Sequence, residues 1–323
     1  MQIRVHKSIS IVATCYSQER FRDVIDLIES VRCQTYRSLD LILVIEKSRN
    51  LYQQIFSYIT TNSISNVLVV FNPFLGLSSA RNLGVKLAKG DIIAFVDDDV
   101  VLEPQWAEET AKMFNDPTII GAAGPCRPLI VNGKQNRLPE ELEWLIGCTA
   151  FYDLKRPGEI RNAWGMNMAF KRELFECGLR FNEVFGMRSA TMEAWGQRPP
   201  EDVDFSLRAR AVTGGRILYN PYAGTRHKVY QHRFQIIRFI KKSFFLGHQR
   251  RILKTTYTGL GGDLLKVEKG LLRRILVRTF PRALMNFPRS PRTALYQFAV
   301  ALTVLTFVFL GYVFCRPASE TRG

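Results

Sequence analysis

Through the first hundred residues, short apolar runs rich in β-branched side chains alternate with segments whose apolar positions recur every three or four residues. Ser8–Thr14 is the first run and predicts a buried strand. Phe21, Val24, Ile25, Ile28 and Val31 then mark one face of a helix. Leu39–Ile45 predicts a second strand, Asn50–Thr61 a second helix and Asn66–Phe71 a third strand. After a break at Pro73–Gly76, Ser78–Lys89 predicts a helix closed by Gly90 in the usual helix-ending position. Ile92–Val96 is the fourth strand. Strand alternating with helix implies parallel strands joined by right-handed crossovers, so the expected class is α/β with a nucleotide-binding type of half. The middle third is mixed, with strands expected at Ile119–Ala123 and Arg216–Tyr219 and helices near 139–146, 171–177 and 201–212.

The last third changes character. Residues 293–315 carry no charged side chain; as a helix they would run ~34 Å, enough for a hydrocarbon core of about 30 Å. A transmembrane helix is expected there. Arg273, Arg274, Arg278, Arg282, Arg289 and Arg292 precede it and only Arg316 and Arg322 follow, which puts the N-terminal side in the cytoplasm. The net charge of +16 follows the same division: residues 1–227 hold 27 Lys+Arg against 26 Asp+Glu, residues 228–323 hold 18 against 3. Leu264–Phe287, broken by Pro281, and Phe234–Arg251 mix these cations with Leu and Phe, as helices at a membrane surface do. A nucleic-acid groove is the rival reading of the charge. It is disfavoured because the cations abut an apolar span and alternate with large apolar side chains.

Candidate chemistry sits in the balanced part. Asp97, Asp98 and Asp99 directly follow the fourth strand. Three ionised carboxylates repel one another strongly when buried, but at the carboxyl end of a strand they face the crevice where open α/β sheets bind ligands. Hard oxygen ligands crowded there suit a divalent cation that also holds a diphosphate. A second cluster, Glu201, Asp202 and Asp204, opens a helical run about a hundred residues on. Carboxylates at a helix N-terminus are ordinary, yet one cluster for a metal and one for a proton is what group transfer to a hydroxyl needs. The helix opened by Gly76–Gly84 carries Arg81, which with the N-terminal amides could meet phosphates. Trp164–Phe170 is dense in aromatic and Met side chains around Asn167, as core or as a substrate floor. His227 closes the balanced region and is a further candidate metal ligand. No GxGxxG follows the first strand and no GxxxxGK[ST] occurs, which disfavours dinucleotide and P-loop sites. Six cysteines without a CxxC pair read as reduced thiols facing a cytoplasm, and Met1–Lys7 runs straight into a strand with no secretory signal expected.

Taken together these residues resemble family 2 glycosyltransferases, the inverting GT-A class. The matching pieces come in family order across residues 8–229: SISIVATCYSQERF, VRCQTYRSLDLILV, GLSSARNLGVKLAKGDIIAFVDDDVVLEP, WGMNMAFKRELF with LRFNEVFG, and PPEDVDFSLRARAVTGGRILYNPYAGTRHKV. The resemblance implies a GT-A fold, with a Rossmann-like nucleotide-binding half and an acceptor half over residues 1–230. Basic membrane-surface helices at 231–292, the transmembrane helix at 293–315 and a short tail at 316–323 would follow. It implies that Asp97 and Asp99, with Asp98 between, touch the donor ribose and hold Mg²⁺ or Mn²⁺ on the diphosphate of a nucleotide-sugar, probed first as a UDP-sugar. It also implies that Asp202 deprotonates the acceptor hydroxyl, that Thr14, Tyr16, Glu19 and Arg81 contact the nucleotide, and that Trp164 and Asn167 lie where the sugars react. Where many relatives have an aspartate-rich turn this chain has Val44-Ile45-Glu46-Lys47, so Glu46 stands in for the base contact. No Gln-x-x-Arg-Trp follows, which disfavours processive polymer synthases. The tail of basic helix plus one span looks most like that of archaeal enzymes extending dolichyl-phosphate-linked sugars for protein N-glycosylation, among which glucuronosyltransferases acting on a glucosyl-dolichyl phosphate share the CYSQERF-like and GLSSARN-like features. The acceptor would then be a polyprenyl- or dolichyl-phosphate-linked sugar at the cytoplasmic face of the cell membrane, with anionic lipids as docking partners. A glucuronate donor would need a cation, for which Arg127, Arg161, Lys171, Arg188 and Arg198 are unranked candidates, and the 186–199 loop is a candidate lid. The rival expectations are an inactive GT-A scaffold tethered to the membrane and a transferase with a non-lipid acceptor.

Overall fold

The computed structural model describes residues 7–133, 137–149, 154–183, 200–257 and 264–314. The candidate lid at 186–199, with Arg188 and Arg198, and the tail at 316–323 lie outside these residues. The chain divides into two compact units, one of residues 1–127, 154–189 and 201–228, the other of 128–153, 190–200 and 229–323.

The first unit is built on an eight-stranded sheet. Its strands are β1 (Ile9–Cys15), β2 (Leu39–Glu46), β3 (Val67–Asn72), β4 (Ile92–Asp97), β6 (Ile119–Ala123), β8 (Gly158–Ile160), β9 (Asn167–Lys171) and β10 (Arg216–Tyr219). They lie in the order β3-β2-β1-β4-β9-β6-β10-β8. Two further strands, β5 (Val100–Leu102) and β11 (Thr225–Tyr230), pair with each other in antiparallel register outside this sheet. A strand β7 (Cys126–Val131) follows β6. The helices of this unit are α1 (Phe21–Arg32), α2 (Arg49–Thr61), α3 (Leu77–Leu87), α4 (Trp106–Met113), α5 (Arg172–Glu176) and α6 (Glu201–Thr213).

The expected α/β half is present. β3, β2, β1 and β4 are all parallel, and β1, β2 and β4 are buried almost throughout, which is why they read as continuous apolar runs rather than alternating ones. Beyond β4 the pattern departs from a simple alternation. β9 inserts antiparallel between β4 and β6, although its Met168, Ala169 and Phe170 gave no period by which to choose strand over helix. The stretch expected as a helix near 139–146 is a 3₁₀ segment, Glu140–Ile146.

Gly90 plays a different part from the one its position suggested. α3 ends at Leu87 with Ala88 already extended, and Gly90 is not among the residues with positive φ. A Cβ there would meet the Ser10 amide nitrogen at 2.5 Å and the Ile9 carbonyl carbon at 2.9 Å. Close approach to β1, rather than a left-handed cap, is what requires glycine. Ser10 Oγ completes the join by accepting from the amides of Lys89 and Gly90 at 3.1 and 2.9 Å.

The second unit is mostly helical: α7 (Ile236–Thr256), α8 (Lys266–Arg274), a π turn (Ile275–Thr279), α9 (Phe280–Asn286) and α10 (Pro291–Val313). Pro281 does not break the expected basic helix. Proline offers no N–H and crowds the carbonyl four residues back, and the wide π turn immediately before it absorbs that misfit, so helical structure runs on from Lys266 to Asn286. α10 is 23 residues long, its most apolar 18-residue stretch has a mean hydropathy of 1.9, and it is long and apolar enough to cross a membrane. Ala294, Val300, Ala301, Val304 and Gly311 are buried along it, while Leu295, Phe298, Leu302, Phe309 and Val313 remain exposed. An exposed apolar stripe of this kind suits contact with lipid.

Candidate active site

Parallel pairing of β1 with β4 brings Thr14 into register with Asp97, so the first strand and the acidic triplet end at the same edge of the sheet. The three carboxylates then diverge. Asp97 has a side chain 40 % exposed. Asp98 receives a hydrogen bond from the buried Cys15 thiol. Burial and the neighbouring Asp99 charge raise its pKa, with Arg20 acting in the opposite sense. Asp99 turns inward and is 3 % exposed. Its carboxylate meets Arg20 Nη1 at 2.9 Å and His227 Nε2 at 3.2 Å.

His227 arrives there by strand pairing: His227 lies opposite Val100, and the Lys228 amide donates to the Asp99 carbonyl at 2.9 Å. The pairing is further tied to α1, where Asp23 accepts from both Arg20 and Lys228 at 2.9 Å. Lys228 also pairs with Asp26. His227 Nδ1 is buried and has no hydrogen-bond partner among the described residues.

The second acidic cluster opens α6. Asp202 accepts from the Gly165 amide through Oδ2 at 2.9 Å and from the Val203 amide through Oδ1 at 2.7 Å. Backbone donors therefore aim a half-buried carboxylate, each oxygen of which has a further lone pair to offer. Glu201 is 6 % exposed and accepts from Arg81 Nη1 at 2.8 Å. Burial raises its pKa, the Arg81 charge opposes that shift, and Asp202 adds to it. Arg81 Nη2 lies 3.9 Å from Asp97 Oδ1. One guanidinium thus stands between the two acidic clusters, 104 residues apart in sequence, and the Phe181 ring lies 5.5 Å from its centre.

Around this pair the other expected residues divide. Thr14 is half-buried at the end of β1, and Tyr16 (44 % exposed) and Glu19 are exposed just beyond it. All three border the acidic edge. Three expectations need correction. Arg81, expected on the nucleotide, is 3 % exposed and engaged with Glu201. Glu46, expected to face a base, is 2 % exposed and accepts from the Gly76 amide at 2.5 Å; it clasps the start of α3 to the end of β2. Asn167, expected beside the sugars, is 3 % exposed. Its Oδ1 accepts from Trp106 Nε1 at 2.8 Å, and its Nδ2 donates to the carbonyls of Pro125 and Ala223 at 3.2 and 2.9 Å. That amide is committed to the fold. Trp164 is 9 % exposed and bridges to Asn167 through backbone.

Sequence reading missed Arg20, Lys228 and Gly165. The first two are ordinary surface cations by sequence, and only the β5–β11 pairing and the turn before α1 bring them to the triplet. Among the described residues no group of three or more His, Cys, Asp and Glu stands preassembled as a metal cage. Two carboxylates of one motif, Asp97 and Asp99, with the His227 imidazole beside Asp99, nevertheless form a donor set that fits a hard divalent ion whose remaining ligands come from a substrate.

Residues 10–179 match the family described as Glycosyl transferase family 2. The chain belongs to that family. It is 30 % identical over 310 residues to a glucosyl-dolichyl phosphate glucuronosyltransferase of Haloferax volcanii, a likeness covering 95 % of each protein. In fold it is similar to the mannosyltransferase PcManGT of Pyrobaculum calidifontis, solved with GDP-Man and Mn²⁺, at a TM-score of 0.63 and 14 % identity over 96 % of this chain and 88 % of that one. GalNAc-T7, solved with UDP, GalNAc and Mn²⁺, gives 0.52 at 16 % identity, covering 82 % of this chain and 55 % of that one. The protein is a glycosyltransferase with a GT-A-like fold and one C-terminal apolar helix of membrane-crossing length.

Proposed function

We propose that this glycosyltransferase moves a hexuronate, with inversion, from a nucleoside-diphosphate donor to a polyprenyl- or dolichyl-phosphate-linked sugar at the cytoplasmic face of the membrane. The observation that supports this reading is the Arg81 guanidinium between Asp97 and Glu201, Glu201 being the chain neighbour of the Asp202 that would act as base. Asp202 takes the proton of the acceptor hydroxyl; the oxygen forms its bond to the anomeric carbon as the bond to the diphosphate breaks, and the nucleoside diphosphate leaves. Asp97 and Asp99, with His227, would hold Mg²⁺ or Mn²⁺, which when bound neutralises charge on the diphosphate. Thr14, Tyr16 and Glu19 border the same edge and would contact the nucleotide. The hexuronate and the dolichyl-type acceptor rest on the likeness to the Haloferax volcanii enzyme. Membrane docking rests on the cation excess of residues 228–323 and on α10.

Asp99→Ala is expected to abolish metal-dependent donor binding, read as the loss of the Mn²⁺-dependent heat when a UDP-sugar is titrated in by calorimetry. Equal donor affinity with and without Mn²⁺ in the wild type would overturn the metal assignment. Among the candidates for the sugar carboxylate, Lys171 is paired with Ile92, five residues from Asp97 along β4 and so about 16 Å away. Arg127 instead adjoins Cys126, whose buried thiol is pushed up by burial and by the Asp97 and Asp99 charges and pulled down by the Arg127 charge. Arg127→Ala is therefore expected to raise KM for a UDP-hexuronate by roughly tenfold, the effect of one charge-assisted contact. KM for the matching neutral UDP-hexose should not change. Equal effects on both donors would remove Arg127 from that role.

A further inference from the structure

The second unit has an open-sided cavity of about 300 Å³, at the lower end of the range for ligand sites. Three helices wall it. Leu246 and Gly247 come from α7, Leu271 from α8, and Val304, Val308 and Tyr312 from α10. The first wall and the third are pressed together at their backbones: a Cβ at Gly247 would lie 2.0 Å from the Val308 carbonyl oxygen, and one at Gly311 1.9 Å from that of Phe244. Paired small residues that let helix backbones touch are the packing device of helices in lipid. α10 supplies this wall from one face while its exposed face is also apolar, so the cavity lies against the helix of membrane-crossing length.

An aqueous solute gains little from an apolar wall, because specific sites for such solutes converge several polar groups. Polar groups do border this cavity, but its principal charges are already joined: Arg250 Nε meets Glu268 Oε1 at 2.6 Å, with side chains 9 and 12 % exposed. A buried pair of this kind adds little net stability after desolvation. It does cancel the Arg250 charge beside the cavity, where Lys269 is a further lining cation.

We infer that this cavity holds a segment of the isoprenoid chain of the lipid acceptor, a binding site separate from the acidic edge that would act on the sugar. The inference rests on the lipid-acceptor reading above. The chain is bound through methyl and methylene contact with α7, α8 and α10, and it adds affinity for a membrane-bound acceptor without taking part in the chemistry. Leu272 and Leu305, which also line the cavity, are neither in the acidic edge nor at the touching glycines, and Trp at either would fill it.

The test uses the full chain in nanodiscs of defined phospholipid. Two acceptors carry the same sugar phosphate, one on a long polyprenyl chain and one on a short, water-soluble alkyl chain. Leu272→Trp and Leu305→Trp are each expected to raise KM for the long-chain acceptor by about tenfold or more, as losing several apolar contacts would. The short-chain KM and the donor KM should stay at wild-type values. Equal effects on both acceptors, or none on either, overturn the inference. In the wild type, a diazirine-bearing polyprenyl phosphate is expected to label peptides containing Leu271 or Val304, with protection by excess polyprenyl phosphate and none by excess phospholipid. Equal protection by phospholipid also overturns it. Absence of turnover with either acceptor in the wild type would instead defeat the lipid-sugar reading itself, so the two failures are distinguishable.

Discussion

Asp202→Asn is expected to lower kcat by about 10²–10⁴-fold, the contribution of a positioned general base, while leaving donor affinity at the wild-type value. The substitution keeps size and shape. The Asn Oδ1 can still accept one of the two amide hydrogens from Gly165 and Val203 that orient the native carboxylate, so the head of α6 should remain in place. What disappears is the ability to take the proton from the acceptor hydroxyl. Donor binding measured calorimetrically with Mn²⁺ should therefore match wild type while turnover of the lipid-linked acceptor collapses. Near-normal turnover would remove Asp202 from the base role. A matched loss of donor affinity would show that the substitution had disturbed the acidic edge instead.

The second large effect is expected at Arg81. Arg81→Met leaves Glu201 buried without its partner and removes the cation nearest to Asp97 on that side. Breaking a buried pair from one end costs about 3–5 kcal/mol, because the remaining charge stays desolvated. Chemical denaturation of the purified protein would measure it. The loss should depend on pH with a definite sign. Burial already raises the pKa of Glu201 in the folded state, and without Arg81 it rises further. A carboxyl whose folded pKa is raised contributes its stability at low pH and loses it as pH rises through that folded value. Arg81→Met should thus approach wild-type stability in acid and fall away from it toward neutrality. The double substitution Arg81→Met with Glu201→Gln removes the stranded charge and should recover much of the loss, a coupling that a double-mutant cycle reads directly. Additive penalties would mean that the two side chains act independently.

Arg81 also illustrates how far the sequence could be read. Its place near the start of a helix before the acidic strand suggested phosphate contact, since exposed arginines at such ends commonly serve that purpose. Nothing local signalled Glu201, which is 120 residues away. Glu46 and Asn167 failed for a related reason: burial and the identity of hydrogen-bond partners are non-local, and both side chains are spent on holding elements together. The parallel strands succeeded because a strand buried on both faces must be apolar throughout, a constraint written into consecutive residues. β5 is three residues long and finds its partner β11 more than a hundred residues later, so no local period could reveal it.

The sequence by itself determined the parallel α/β half, the two acidic clusters and their family order, the concentration of cations after residue 227, and a helix of membrane-crossing length. Each of these is carried by neighbouring residues: period, burial on both faces, charge density or apolar length. Only the tertiary structure decided that β9 runs antiparallel beside β4, that His227 reaches Asp99, and that Arg81 joins the two clusters. It alone also brought Gly247 and Gly311 to touching helices beside an apolar cavity. Those facts depend on strand register and on contacts between residues far apart in the chain, where side chains meet only after the backbone has folded.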